Sequence, residues 1–122
     1  MRPHKKLDVW KRSMDLVVRI YRATEVFPTH ERYGLTSQIR RAAVSIPANI
    51  AEGAARQSPK EFAHFLSNAQ GSASELETEL LIAHRLEYLG SGGYAEITNE
   101  LESVGRMLIG LARNVRLNFT SR

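Results

Sequence analysis

Hydrophobic residues recur at helical spacing in four segments of the chain, and no segment alternates in the manner of a β-strand. The first segment predicts a helix over about residues 7–25. The row assigned to its core is Leu7, Trp10, Met14, Val17, Tyr21 and Thr24, widened by Leu16 and Ile20. Pro28 ends this helix, because the residue before a proline is steered out of the α region.

The second segment, about residues 35–55, carries two stripes. One is apolar and predicts a core face: Leu35, Ile39, Ala42, Ala43, Ile46, Ile50 and Ala54. The other is wholly polar: Gln38, Arg41, Ser45, Asn49, Glu52 and Arg56. Pro47 lies inside the helix and removes the donor for the Ala43 carbonyl. We expect Ser45 or Asn49 to compensate for this loss.

The third segment begins at a capping box, in which Ser58 is the N-cap, Pro59 the first helical residue and Glu61 the third. It predicts a helix over about residues 59–89 that stops at Gly90. Its core row is Phe62, Phe65, Leu66, Ala69, Ala73, Leu76, Leu80, Ala83 and Leu86. Small residues fill 69–74 apart from Gln70, which favours either close packing inside the bundle or a subunit interface.

The fourth segment predicts a helix over about residues 94–116. Its seam is Ile97, Leu101, Val104, Leu108, Leu111 and Val115. Four amphipathic helices with short connections are typical of an all-α, antiparallel, up-down-up-down four-helix bundle. The length of 122 residues predicts that residues 1–122 form a single domain.

The charge is uneven along the chain. The net charge is +4, with 12 basic and 5 acidic residues in 1–60 against 5 basic and 8 acidic residues in 61–122. A basic and an acidic half favour either nucleic-acid binding or contacts between subunits. Cysteine is absent, which excludes disulfides, thiolate metal sites and a cysteine nucleophile, and we expect a cytoplasmic protein.

Catalytic signals are weak. Glu61 and His64 have the Glu-x-x-His spacing of di-iron bundles, but such a site needs a second copy of the motif and two further glutamates. We therefore expect no enzyme activity, no metal site and no cofactor. A membrane-surface role for the first helix is the lesser alternative, because its apolar face is explained by the core.

A long, contiguous run resembles a known family. Residues 38–53 read QIRRAAVSIPANIAEG and residues 58–80 read SPKEFAHFLSNAQGSASELETEL, with LDVWKRSMDL and FPTHERYGL upstream. Together they resemble the 23S rRNA intervening-sequence protein family of small bacterial four-helix bundle proteins. The resemblance covers about residues 7–90. It departs at His4, where an aromatic residue is common, and after Arg113.

The resemblance implies a ring-shaped homo-oligomer, typically a homopentamer. The family is also similar to the accessory protein of diversity-generating retroelements, a basic pentameric barrel that binds nucleic acid and a reverse transcriptase. It implies no catalytic residues. The positions that match the family signature are Gln38, Arg40, Arg41, Ser45, Ile46, Pro47, Asn49, Ile50, Glu52 and Gly53.

We therefore predict a homo-oligomer that binds RNA or DNA through basic surfaces with little sequence readout. The candidate nucleic-acid-binding residues are Arg12, Arg19, Arg40, Arg41, Arg106 and Arg113. The candidate interface residues are Gln38, Ser45, Pro47, Asn49, Glu52 and Gly53. The alternative is an oligomeric scaffold that recruits a protein partner and does not contact nucleic acid.

Overall fold

A computed structural model describes residues 3–120, without the side chains of residues 6, 119 and 120. It contains four long helices: α1 Asp8–Thr24, α2 Leu35–Ala54, α3 Pro59–Arg85 and α4 Ser91–Thr120. Single 3-10 turns, Pro3–Lys6 and Thr29–Glu31, precede α1 and α2. The predicted all-α four-helix bundle is confirmed. Its helices begin and end within five residues of the predicted bounds.

Each helix packs against two others, in the cyclic order α1, α2, α3, α4. Consecutive helices run antiparallel, because their connections are short and cross-helix contacts join residues in opposite order. Ser45 of α2 contacts Ser72 of α3, whereas Gly53 lies beside Phe65. The α1–α2 edge of the bundle is therefore opposite the α3–α4 edge.

The core extends through all four helices. Its fully buried side chains include Leu16, Ile20, Ile39, Ile46, Ile50, Leu66, Leu76, Leu80, Val104 and Leu108. Burying large aliphatic side chains contributes roughly 1.5–3 kcal/mol each. The predicted core row of α2 is confirmed except at its end, where Gly53 is buried and Ala54 only partly so. In α4, Ala112 is buried at the core and Leu111 is only partly buried.

The predicted core row of α1 is only partly right, because Leu16, Ile20 and Thr24 are buried as predicted but Val9 and Ser13 were not predicted. The buried row is Val9, Ser13, Leu16, Ile20 and Thr24, whereas Met14 and Tyr21 are about 40% exposed. Two polar residues belong to the buried row, and the hydroxyl of each is hydrogen-bonded to a carbonyl of the same helix. Ser13 Oγ donates to the Trp10 carbonyl at 2.8 Å, and Thr24 Oγ1 donates to the Ile20 carbonyl at 2.8 Å. Burial therefore leaves neither hydroxyl unpaired.

The predicted end of α3 is also wrong, because the helix stops at Arg85 rather than at residue 89. Glu87 adopts a left-handed conformation with φ of 65°. The Tyr88 amide donates to the Ala83 carbonyl and the Glu87 amide to the His84 carbonyl, which is the Schellman arrangement of a helix end. Leu86, predicted as core, is therefore 49% exposed.

Glu31 fixes the start of α2. Its Oε1 accepts a hydrogen bond from the Leu35 amide at 3.2 Å, and its Oε2 accepts one from the Tyr88 hydroxyl at 3.0 Å. The bond from the Leu35 amide, followed by the bond from Tyr88, lowers the pKa of Glu31 below its usual value of 4.5. The same carboxylate raises the pKa of Tyr88. A carboxylate at a helix N-terminus also interacts favourably with the helix dipole.

Candidate interaction surfaces

The polar stripe of α2 lies along α3 at the edge of the core. Ser45 and Ser72 hydroxyls are hydrogen-bonded at 2.5 Å, and Ser72 also donates to the Asn68 carbonyl at 3.2 Å. Asn49 Nδ2 donates to the carbonyl and the hydroxyl of Ser45, at 2.8 and 3.1 Å. Ser45 and Asn49 are therefore used within the α2–α3 seam. The small patch at 69–74 packs partly inside the bundle, because Ala69 is fully buried.

Pro47 is buried inside α2. Its ring removes the amide donor for the Ala43 carbonyl. We expected Ser45 or Asn49 to compensate, but the Asn49 side chain bonds to Ser45 instead. The Asn49 side chain therefore bonds across the helical turn that contains Pro47, and not to the carbonyl that proline frees.

Gly53 allows α2 to approach α3 closely. A Cβ at this position would lie 2.8 Å from the Phe65 Cβ, 2.9 Å from the Phe62 Cδ1 and 3.3 Å from the Phe62 carbonyl oxygen. Beside it, Glu52 and Arg56 form an ion pair one helical turn apart, and the Arg56 guanidinium lies 5.1 Å from the Phe65 ring centre. The sequence singled out Gly53 as an interface candidate. The structure gives it a packing role within one chain.

The α2–α3 seam also has a groove of about 350 Å³, lined by Gln38, Arg41, Ala42, Ser45 and Glu75. One turn beyond Glu75 on α3, the side chain of Glu79 is only 6% exposed, and its Oε1 has no hydrogen-bond partner. Burial, reinforced by the neighbouring Glu75 carboxylate, raises the pKa of Glu79 to about 7. This buried acid was not among the site residues predicted from the sequence. The sequence does contain an indication of its burial, because Glu79 lies between Leu76 and Ala83 at helical spacing, on the core side of α3.

The six predicted arginines do not form one surface. Arg12 Nη2 lies 3.5 Å from Glu100 Oε2, an exposed ion pair between α1 and α4. Arg40 bonds to the end of α1, through Thr24 Oγ1 at 2.8 Å and the Tyr21 carbonyl at 3.2 Å. Arg41 lines the α2–α3 groove.

The other three predicted arginines are exposed. Arg19 lies on α1, Arg106 lies on α4 and donates to Ser103 Oγ at 3.3 Å, and Arg113 lies further along α4. Arg106 also lines a groove between α3 and α4. A role for these residues in nucleic-acid binding stays a prediction.

Positive charge collects instead at one end of the bundle, which we call the basic end. It comprises residues 3–12, 52–61 and 113–118. Two cavities join these segments: one lies between Arg56, Phe62 and Val115, and the other between His4 and Ala51. Its described charged side chains are all exposed: basic Lys5, Lys11, Arg12, Arg56, Lys60, Arg113 and Arg116, and acidic Asp8, Glu52 and Glu61.

The arrangement of Glu61 and His64 does not support a catalytic or metal-binding site. Glu61 and His64 are exposed, and the His64 ring lies edge-on to Phe65 with ring centres 5.5 Å apart. Within residues 3–120, no three or more His, Asp or Glu side chains gather where a metal ion would be held. None of the helices in the described part of the chain has the length and apolar character needed to cross a membrane.

Comparison with known proteins supports the same fold. A crystal structure of a protein of unknown function from the S23 ribosomal protein family of Bacteroides thetaiotaomicron VPI-5482 is similar, with a TM-score of 0.79 and 29% sequence identity. The similarity covers 86% of this chain and 95% of that one. None of the curated proteins matches the chain. The family model for the 23S rRNA-intervening sequence protein matches residues 5–110, and the chain therefore belongs to that family.

Proposed function

We propose that the protein is a cytoplasmic, non-enzymatic homo-oligomer, a pentamer by the family resemblance, that binds RNA or DNA with little sequence readout. The observation that carries this proposal is the basic end, where seven basic and three acidic described side chains are exposed. Two of the basic side chains, Arg12 and Arg56, form ion pairs with Glu100 and Glu52, and the other five form none with a described residue. Lys and Arg that neutralise phosphates release counterions, so such a surface binds any nucleic acid at low salt. Repetition by symmetry would multiply the field of each copy.

Of the six arginines predicted from the sequence, Arg12 and Arg113 belong to the basic end. Arg40 is held by Thr24 and Tyr21, and its contribution to binding is therefore secondary. The described helices present base-stacking aromatic residues on no common exposed face, which favours phosphate contacts over base recognition.

The second candidate function is an oligomeric scaffold that recruits a protein partner. Its support is a set of half-exposed apolar side chains outside the core, among them Ile82 and Leu86, at 44% and 49% exposure. A scaffold of this kind does not require a basic end, and a test of nucleic-acid binding separates the two functions.

The test is a titration of labelled RNA and DNA with purified protein at about 50 and 200 mM salt, with the mass measured by light scattering on the same sample. We expect binding that weakens steeply between the two salt concentrations. The double variant Arg113→Glu with Arg116→Glu should lower the affinity at least tenfold at low salt and keep the helical circular dichroism signal.

The matched control is Arg22→Glu with Arg85→Glu, because both arginines are exposed, lie away from the basic end and give the same change in net charge. If the control weakens binding as much as the first pair does, the interaction follows net charge and not the basic end. If wild-type oligomer shows no binding at low salt, the scaffold function is favoured.

A further inference from the structure

Two apolar features lie on opposite edges of the bundle. On the α1–α2 edge, Met14, Val18, Tyr21 and Val44 are each 40–46% exposed, and we call them the α1–α2 ridge. Residues 14, 18 and 21 are one helical turn apart and form a continuous row. These side chains are bulky, and their exposure is not needed for the core of a single chain.

On the α3–α4 edge there is a cavity of about 370 Å³. Its apolar lining comes from Ala73, Leu101, Gly105 and Ile109, and we call it the α3–α4 groove. A Cβ at Gly105 would meet nothing within 4 Å, so the floor of the groove is open. Ile109 is 50% exposed at its wall. The groove has the volume and the apolar lining to accept side chains from outside the chain.

We propose that the α1–α2 ridge of one copy packs into the α3–α4 groove of the next copy. This inference rests on the self-association in the proposed function and adds to it the two surfaces that meet. Different patches on each subunit make the contact heterologous, and a heterologous contact repeats from copy to copy and forms a ring when the rotation between copies closes.

The charges of the two edges favour this pairing over a ridge-to-ridge contact. Helices α1 and α2 carry six basic and three acidic residues, whereas α3 and α4 carry five basic and seven acidic residues. At the groove itself, Glu77 and Glu102 accompany a single cation, Arg106, whose guanidinium donates to Ser103. Two ridges facing each other would bring like charges together, whereas ridge and groove bring opposite charges together.

The test uses one variant on each surface. Val18→Glu damages the ridge and Ile109→Glu damages the groove, and both residues are half exposed, so the fold should survive, as a helical melt will show. At micromolar concentration, light scattering should give a monomer for each variant alone. An equimolar mixture should form a complex of two chains and no larger species, because each contributes one intact surface and one damaged surface.

The matched control is Ile82→Glu, because Ile82 is 44% exposed on α3 and belongs to neither surface. It should assemble like wild type. If Ile109→Glu assembles normally while Val18→Glu does not, ridges pair with ridges and the proposal is wrong. If both assemble, or if the mixture stays monomeric, the ridge does not pack into the groove and the proposal is wrong. Should Val18→Glu unfold, Val44→Glu repeats the test from α2. A monomeric wild type would instead overturn self-association itself.

Discussion

The Nε of Arg40 donates a 2.8 Å hydrogen bond to Thr24 Oγ1, and this bond joins the middle of α2 to the last residue of α1. The same guanidinium lies 4.5 Å from the centre of the Tyr21 ring and bonds to the Tyr21 carbonyl. Arg40, a family signature residue, therefore connects two helices, although its charge suggests a ligand site.

We expect Arg40→Ala to lower the free energy of unfolding by about 1–2 kcal/mol, because it removes charge-assisted hydrogen bonds and a cation–π contact. Urea unfolding measures the change. Arg19→Ala is the control, since Arg19 is an exposed arginine on α1, and it should stay within about 0.5 kcal/mol of wild type. Equal effects of the two substitutions would show that the Arg40 contacts contribute nothing to stability.

Gly53→Ala should destabilise the protein by up to about 2 kcal/mol. Alanine favours a helix by about 1 kcal/mol over glycine, but here its Cβ would overlap Phe65 and Phe62, and overpacking costs about 1–3 kcal/mol. Gly110→Ala is the matched control within a helix, because its Cβ would meet nothing within 4 Å. Thermal melts should move in opposite directions for the two variants. A stabilised Gly53→Ala protein would contradict the close approach of α2 and α3.

Glu87→Gly should stabilise the protein by about 1 kcal/mol. Glu87 has a φ of 65°, which costs a residue with a side chain about 1–2 kcal/mol and costs glycine little. Glu87→Ala is the control, because it removes the charge and keeps the strain. Chemical denaturation of the three proteins separates the two contributions: if Ala stabilises as much as Gly, the gain comes from charge and not from the backbone.

Glu79 should make stability fall as the pH rises from about 4.5 to 7. Its pKa in the folded chain is about 7, above the usual 4.5, so over this interval the folded state holds a proton that the unfolded state has lost. The loss should be at most about 3 kcal/mol, because each pKa unit of the shift corresponds to about 1.4 kcal/mol.

Glu79→Gln should remove this pH dependence. Melting temperatures at pH 5 and pH 8 measure it: the two proteins should be similar at pH 5, and the variant should be more stable at pH 8. Glu75→Gln is the control on the exposed neighbour and should retain most of the slope. An unchanged slope in Glu79→Gln would assign the pH dependence to another group.

The sequence allowed the number of helices, their order and three of the four core rows to be predicted. It failed in part on α1 because Ser13 looks polar, and only the structure shows its hydroxyl bonded to a carbonyl of its own helix. It failed at the end of α3 because Gly90 is the expected stop, whereas Glu87 takes the left-handed position. The local sequence pattern predicts neither the buried hydroxyl in α1 nor the left-handed residue that ends α3.

The candidate sites were less predictable than the fold. The polar stripe of α2 suggested an interface, but its partner is α3 of the same chain, through Ser45 and Ser72. The basic end combines residues from three separate segments, and no single helix shows it. Sequence spacing gives the face of one helix. The surface formed by several helices depends on their relative rotation, which packing decides.

The close α2–α3 seam also bears on how the chain folds. Only residues 55–58 connect these two helices, so their contacts close a short loop and carry little entropic cost. The Arg12–Glu100 pair, by contrast, joins residues 88 positions apart. We expect the α2–α3 hairpin to be largely formed in the folding transition state, with α1 and α4 docking later. Stopped-flow measurements should then show Gly53→Ala slowing refolding, whereas Glu100→Ala mainly accelerates unfolding.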